Sequence, residues 1–238
     1  MPSHKVVSII LARSDSVRLP SKHLLSVRGR TMLSYLIERV NNIPEVNETI
    51  VATTDRICDI EIVREALLYG AKVYKGSLHD VVGRFYDAAT EFEADIVVKT
   101  NGDNPLQAPE VITRGIEQLI DGNFDIVTGK NLYTGLPVGI GSEVLTYQAI
   151  SKVNTLSSGI FRNDPTNYIF SNLNEFEWSP IYVDKKWTDS NYSITVDTAQ
   201  DFTLFKKVVE SLPDTNPASW TINEILELID YSDAGRIL

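Results

Sequence analysis

The strongest constraint on the fold is an alternation of short apolar runs with amphipathic stretches over the first 130 residues. The first run, Val6–Leu11, is apolar at five of its six positions, which is typical of a strand buried on both faces of a sheet. Apolar residues then recur at helical spacing at Leu33, Leu36, Ile37 and Val40. The same pattern predicts further strands at residues 49–54, 71–74, 95–100 and 124–128 and further helices at residues 60–68, 82–89 and 111–120.

This order of elements predicts an α/β fold with three α/β/α layers and a mostly parallel, doubly wound sheet. Between about residues 130 and 190 the alternation is lost and glycine and proline are scattered, which predicts an irregular insertion. Residues 191–196 then predict one more strand, a capping box at residues 198–201 begins a helix, and residues 222–229 form the last helix. No linker separates two units, so we predict a single domain over residues 1–238.

Composition excludes several classes of protein. No apolar run approaches the roughly 20 residues of a membrane span, and the first apolar stretch is too soon followed by Arg13 to be a signal peptide. The single cysteine, Cys58, cannot form an internal disulfide, which agrees with a reducing compartment. A net charge of −10 argues against a nucleic-acid-binding surface. We therefore predict a cytoplasmic protein that binds neither nucleic acid nor membrane.

Positive charge is nevertheless concentrated at the N-terminal end, where residues 1–30 hold six cations and one anion. Arg13, Arg18 and Lys22 directly follow the first strand, at the edge of the sheet where α/β proteins bind ligands. Guanidinium and ammonium groups in this arrangement can hold a polyphosphate, although they could equally be solvated surface cations. The sequence contains neither a Walker loop nor a GxGxxG motif.

Two aspartates also follow predicted strands. Asp103 lies in the loop Asn101-Gly102-Asp103-Asn104-Pro105, where Gly102 would permit close approach of a ligand, and Asp197 follows Val196. Because the carboxyl ends of parallel strands share one edge of a sheet, these two carboxylates could approach each other and hold Mg²⁺. Taken singly, each could instead be a turn or helix-cap residue.

Other polar groups near the predicted edge are less specific. Thr53, Thr54 and Asp55 lie at the end of the second long strand, where they could contact a base or ribose or could cap the next helix. Arg84 lies off the apolar face of its helix and could reach the same cleft or be solvated. The three histidines are dispersed, so the sequence predicts neither a zinc site nor a histidine-based triad, and His23 has no predicted role.

Two sets of motifs carry a resemblance to a known family. The stretch from Leu11 to Lys22, LARSDSVRLPSK, is similar to the signature of the CTP-dependent cytidylyltransferases that activate sugars, of the acylneuraminate and 3-deoxy-manno-octulosonate type. Residues 76–86, 100–106 and 193–198 resemble the spore coat polysaccharide biosynthesis branch. The resemblance covers most of residues 6–205 and implies a nucleotide-diphospho-sugar transferase-like fold and a homodimer.

The resemblance also implies roles for individual residues. Arg13, Lys22 and Asp103 would be catalytic, with Arg13 and Lys22 on the phosphates, and Asp103 and Asp197 would bind Mg²⁺. Further nucleotide contacts are implied for Leu11, Ala12, Ser14, Arg18, Thr53, Thr54, Asp55, Arg84, Asn101 and Gly102. Glu143 and Arg162 fall where the family builds its sugar pocket and dimer contact.

The chain departs from the branch pattern at two places. Residues 161–166 read FRNDPT where the branch often has Arg-Glu-His-Val-Thr, so the histidine is missing beside Asp164. Asn104 replaces a frequent cysteine, which leaves the Asp103 carboxylate intact. The first departure bears on the acceptor and on catalysis.

The expected reaction is transfer of CMP from CTP to a sugar hydroxyl with release of pyrophosphate, for surface polysaccharide or glycan biosynthesis. Two alternatives remain open at this point. A glycosyltransferase of the same fold would use a nucleotide-sugar instead of CTP, and a non-catalytic partner protein would bind the nucleotide without turnover. The sequence does not distinguish an acidic nine-carbon sugar from a neutral or amino sugar.

Overall fold

The computed structural model describes residues 4–188 and 192–231 of the chain. Its strands are β1 (Val6–Leu11), β2 (Ser26–Val27), β3 (Arg30–Thr31), β4 (Glu48–Thr54), β5 (Lys72–Gly76), β6 (Ile96–Asn101), β7 (Ile126–Thr128), β8 (Glu143–Thr146) and β9 (Trp178–Pro180). Its α-helices are α1 (Met32–Asn41), α2 (Ile60–Leu68), α3 (Val81–Glu91), α4 (Pro109–Gly122), α5 (Asn131–Thr134), α6 (Tyr147–Leu156), α7 (Asn167–Ser171), α8 (Ala199–Ser211) and α9 (Ile222–Tyr231). Among these residues no helix is both long enough and apolar enough to cross a membrane.

Seven of the strands form one sheet in the order β5-β4-β1-β6-β8-β7-β9. Strands β5, β4, β1 and β6 are mutually parallel, β8 runs antiparallel to both of its neighbours, and β9 is parallel to β7. The predicted α/β class with a mostly parallel sheet is therefore confirmed. The carboxyl ends of β4, β1 and β6 lie together at one edge.

Apolar side chains cover both faces of the sheet, as the apolar character of β1 predicts. Val6 and Ile10 pack in one core cluster with residues of α1, α4, α8 and α9. Val7 and Ile9 point to the other face and pack with residues of α3 and α6. Because successive strand side chains alternate between faces, only a strand covered on both sides needs apolar residues at nearly every position.

The segment from 130 to 190 is not simply irregular, because it contributes β8, β9 and α6 to the main fold. Strand β8 is four residues long, begins at Glu143 and lies between β6 and β7. Strand β9 has three residues, the last of which is Pro180. Strands this short, with a charge or a proline inside them, do not produce the apolar run that indicates a buried strand.

The strand predicted at residues 191–196 is also corrected. Asn191 lies outside the described residues, and Ser193 makes only an isolated parallel bridge to Val138. The following residues bond to loops, since the Val196 amide donates to the Asp103 carbonyl at 2.8 Å. The predicted capping box is confirmed, because Thr198 and Asp201 cap each other at the start of α8.

Candidate active site

A cleft with a volume of about 700 Å³ opens at the carboxyl ends of β1 and β6. It lies between the loop that follows β1 and the start of α3. Nine of the residues implicated from sequence line it: Leu11, Ala12, Arg13, Arg18, Lys22, Arg84, Asn101, Asp103 and Asp197. The loop after β1 therefore collects its cations at a concave surface, as predicted.

The Lys22 side chain is buried at the centre of this cleft. Its Nζ donates to Asp103 Oδ2 and to Asp197 Oδ1, each at 2.8 Å. The two carboxylates therefore do approach each other, across 94 positions of sequence. Arg18, which is largely exposed, places Nη2 2.9 Å from Asp197 Oδ2. Breaking a buried pair of this kind leaves an uncompensated charge, so each group depends on the others.

Backbone bonds hold the three elements of this cluster in place. The Gly102 amide at the end of β6 donates to the Leu11 carbonyl at the end of β1, at 2.9 Å. The amide of Val196 binds the Asp103 carbonyl, which brings the neighbouring Asp197 to the same edge. Gly102 permits close approach of the His23 ring rather than of a ligand, because a Cβ there would lie 2.7 Å from His23 Cδ2.

His23 forms a wall of the cleft, a role that the sequence did not predict. The side chain is buried, and its Nδ1 donates to the Arg13 carbonyl at 2.9 Å. Burial lowers the pKa of His23 from 6.5 to about 4, so the ring is neutral at pH 7. We infer that it fixes the loop that carries Arg13 and Lys22. Only the matching glycine at position 102 signals this packing.

We expect His23 to make folding pH-dependent. Because its pKa is lower in the folded than in the unfolded chain, its contribution is fully present above pH 6.5 and is lost as the pH falls towards 4. His23→Asn retains a donor for Arg13 and does not titrate. Urea denaturation should show that lowering the pH from 7 to 4.5 costs the wild type roughly 2 kcal/mol more than the variant. Equal losses in both proteins would contradict the assignment.

Arg84 is buried, which rules out the solvated alternative. Its Nη1 donates to the Ser77 carbonyl at 2.5 Å, while its Nε is buried without a hydrogen-bond partner among the described residues. Burial, and then the neighbouring Arg13, lower the pKa of the Arg84 guanidinium. A guanidinium with an unused donor at the cleft wall is suited to an anionic ligand.

Besides Gly102, four residues implicated in nucleotide contacts do not line the cleft: Ser14, Thr53, Thr54 and Asp55. The Ser14 amide donates to Asp59 Oδ1 at 2.7 Å, and the Thr54 hydroxyl donates to Asp59 Oδ2. Thr53 is buried and Asp55 is exposed outside the cleft. For Ser14 and Thr54 the physical reason is that Asp59 is fully buried and requires donors. Burial raises the pKa of Asp59, but the hydrogen bonds from Thr54 and Ser14 outweigh it and hold the pKa below its usual value.

A second, smaller pocket of about 370 Å³ adjoins the cleft and shares Asn101 and Asp164 with it. We call it the inner pocket. Its polar walls include Lys99, Gln107, Lys130, Glu143, Asp164 and Thr166. Glu143 therefore lines a pocket beside the cleft, and the role of this pocket as a sugar site stays a prediction.

Arg162 lines neither the cleft nor the inner pocket. Its Nε and Nη2 donate to the two oxygens of Asp80, at 2.8 and 2.5 Å. Asp80 in turn caps α3, with Oδ1 accepting from the Gly83 amide. The predicted substrate contact of Arg162 is therefore corrected. Its guanidinium forms a bidentate pair with the helix-capping Asp80 and has a structural role.

The cluster around Lys22 is compatible with Mg²⁺. Asp103 and Asp197 each direct a carboxylate oxygen towards Lys22 Nζ. The described residues contain no group of three or more His, Cys, Asp or Glu side chains that could hold a metal ion alone. Mg²⁺ at nucleotide sites is usually held by one or two carboxylates, with phosphates and waters completing the shell. The donor set therefore fits a cation that arrives with a polyphosphate.

The fold and the cleft together define an α/β protein with a cation-lined cleft at the carboxyl edge of its sheet. Residues 7–230 match the model of the family described as cytidylyltransferase. The chain therefore belongs to the cytidylyltransferase family, as its motifs imply.

Relatives span nearly the whole chain. An uncharacterized protein of Methanocaldococcus jannaschii, MJ1063, is 34% identical over 230 residues, which is 96% of this chain and 90% of that protein. The spore coat polysaccharide biosynthesis protein SpsF of Bacillus subtilis is 23% identical, with 94% of each chain covered. The solved structure of a cytidylyltransferase from Leptospira borgpetersenii has a TM-score of 0.89 at 24% identity, over 97% of this chain and 96% of that one. This structural match confirms the fold.

Proposed function

We propose that the protein transfers CMP from CTP to a sugar hydroxyl, in a step that contributes to surface polysaccharide or glycan biosynthesis. In this reaction the sugar oxygen forms a bond to the α-phosphorus, the bond from that phosphorus to the pyrophosphate oxygen breaks, and the hydroxyl proton is released. The observation that carries the proposal is the cluster in which Lys22 joins Asp103 and Asp197 at the carboxyl edge of the sheet.

Three other observations support it. The family accounts for cytidylyl transfer, and the relative SpsF is named for polysaccharide biosynthesis. A cleft of about 700 Å³ is large enough for a nucleoside triphosphate. The inner pocket meets the cleft at Asn101 and Asp164, so an acceptor held there would lie beside the nucleotide.

The chain's own groups would act by positioning and by charge stabilisation. Arg13, Arg84 and Lys22 would bind the phosphates and neutralise the charge that develops on the leaving pyrophosphate. Asp103 and Asp197 would hold Mg²⁺, which when bound supplies Lewis-acid stabilisation of the phosphate oxygens.

The nucleoside would contact the end of β1, where Leu11 and Ala12 line the cleft. His23 would act indirectly, because it holds the Arg13 carbonyl without donating into the site. The homodimer implied by the family resemblance stays a prediction.

The test is a screen of pyrophosphate release over four nucleoside triphosphates and a panel of sugars, with Mg²⁺ present. We expect release that requires both CTP and one class of sugar. Release of a nucleoside diphosphate from a nucleotide-sugar would identify a glycosyltransferase instead. Calorimetric binding of CTP without pyrophosphate release from any sugar would identify a non-catalytic nucleotide-binding protein.

A further inference from the structure

The inner pocket carries a charge pattern that bears on which sugar it accepts. Two carboxylates, Glu143 and Asp164, and two cations, Lys99 and Lys130, line it. A pocket that selects an acidic sugar needs a cation that is free to pair with the sugar carboxylate. The availability of these two cations is therefore decisive.

Lys99 is already paired with two carboxylates of the protein itself. Its side chain is only 4% exposed, and Nζ lies 3.0 Å from Asp164 Oδ2, 3.5 Å from Glu143 Oε2 and 3.4 Å from the Thr166 hydroxyl. An ammonium group has three hydrogens, and these three acceptors account for all of them. Burial lowers the pKa of Lys99, but Asp164 and Glu143 outweigh it and hold the pKa above its usual value.

Asp164 remains ionised beside it. Asp164 Oδ1 accepts from both the amide and the hydroxyl of Thr166, each at 2.8 Å. Burial raises the pKa of Asp164, whereas Lys99 and Thr166 lower it further, to about 2. Lys99 thus faces two anions, and the trio it forms with Glu143 and Asp164 has a net negative charge.

The second cation does not reverse this balance. Lys130 is exposed, and its Nζ lies 4.2 Å from the centre of the Phe170 ring. A cation over an aromatic face is already partly stabilised, and an exposed lysine gives little energy to an ion pair. Within residues 4–188 and 192–231, the inner pocket thus presents no buried cation without a carboxylate partner.

Gln107, another buried polar residue of the inner pocket, has a side-chain oxygen that lacks a hydrogen-bond donor. Gln107 is 1% exposed, and its Nε2 donates to the Gly141 carbonyl at 2.9 Å. Its Oε1 accepts no hydrogen bond from any described residue. An unpaired buried carbonyl oxygen is costly, and a hydroxyl, amine or acylamino N–H would satisfy it, whereas a carboxylate has no hydrogen to give.

We infer, resting on the proposed function, that the acceptor is a sugar bearing hydroxyl, amino or acylamino groups and no carboxylate. This class differs from acylneuraminate and 3-deoxy-manno-octulosonate, the acidic sugars after which the resembled enzymes are named. A sugar carboxylate would lie beside Glu143 and Asp164 with no buried cation free to bind it, and like charges repel each other strongly in a desolvated site. The hydroxyl and N–H groups of the sugar would instead donate hydrogen bonds to Gln107 Oε1 and to the exposed oxygens of the two carboxylates.

The test measures pyrophosphate release from CTP with neutral hexoses, 2-acetamido sugars and amino sugars, set against 3-deoxy-manno-octulosonate and N-acetylneuraminate. We expect kcat/KM for the best sugar without a carboxylate to exceed that for the best acidic sugar by roughly 100-fold. A preference for an acidic sugar would overturn the inference and leave cytidylyl transfer intact. No release with any sugar would overturn both proposals.

A variant separates charge from fold. Glu143→Gln removes one anion and keeps the closer Lys99–Asp164 pair, so the pocket should remain folded. We expect the ratio of kcat/KM for the best sugar without a carboxylate to kcat/KM for the best acidic sugar to fall about tenfold. The affinity for CTP, measured by calorimetry, should be unchanged. The matched control is Glu177→Gln, at an exposed position outside both cavities. An unchanged preference in Glu143→Gln, with CTP affinity intact, would contradict the inference.

Discussion

Lys22→Ala is expected to lower kcat by roughly 30- to 1000-fold, which corresponds to about 2–4 kcal/mol of transition-state stabilisation. The ammonium is the only side-chain group that contacts both Asp103 and Asp197 among the described residues. It is buried and already oriented, so it would stabilise the leaving pyrophosphate without reorganisation. Loss of such a preorganised donor affects the transition state more than the bound substrate.

The measurement is steady-state pyrophosphate release at saturating CTP and acceptor. Lys207→Ala, at an exposed position on α8, is the matched control and should retain full activity. Thermal unfolding of both variants would show whether the two carboxylates left by Lys22→Ala destabilise the fold. Wild-type turnover in a folded Lys22→Ala protein would remove Lys22 from the catalytic group.

Asp103→Asn is expected to lower kcat/KM by roughly 100-fold or more and to raise the Mg²⁺ concentration that gives half-maximal rate. The substitution is nearly isosteric, and the bond from the Val196 amide to the backbone carbonyl of residue 103 is unaffected. The change therefore removes one anionic oxygen ligand and one of the two ion pairs of Lys22, whose ammonium keeps its pair with Asp197. A neutral amide binds Mg²⁺ more weakly than a carboxylate does.

The check is a titration of rate against Mg²⁺ for the wild type and the variant. Asp121→Asn, at an exposed position near the end of α4, is the control and should behave as the wild type. An Asp103→Asn protein with wild-type rate and the same Mg²⁺ dependence would place the metal elsewhere.

Local patterns predicted the first half of the fold well. Strand β1 and helix α1 could be predicted because buried apolar residues recur at nearly every position of the strand and at every turn of the helix. That the segments carrying Lys22 and Asp103 meet follows from one rule, that parallel strands end at the same edge, whereas Asp197 reaches that edge through the bond from the Val196 amide to the Asp103 carbonyl and not at the end of a strand. The positions of Lys22 and Asp103 required no tertiary detail beyond the topology.

The misses arise where tertiary contacts decide the role of a side chain. Lys99 interrupts an apolar strand, and its partners Glu143 and Asp164 come from two distant segments of the chain. Thr54 ends strand β4 at the same edge of the sheet as Asp103, yet its hydroxyl donates to the buried Asp59 instead of lining the cleft. Periodicity and spacing carry no information about which buried carboxylate a hydroxyl will donate to.

The central claim is tested most directly with CTP labelled at the α-phosphate, the preferred acceptor and Mg²⁺. The account predicts that the label appears covalently bound to the sugar and that one pyrophosphate is released for each labelled product. Label that remains in free CMP, or release of inorganic phosphate in place of pyrophosphate, would contradict it.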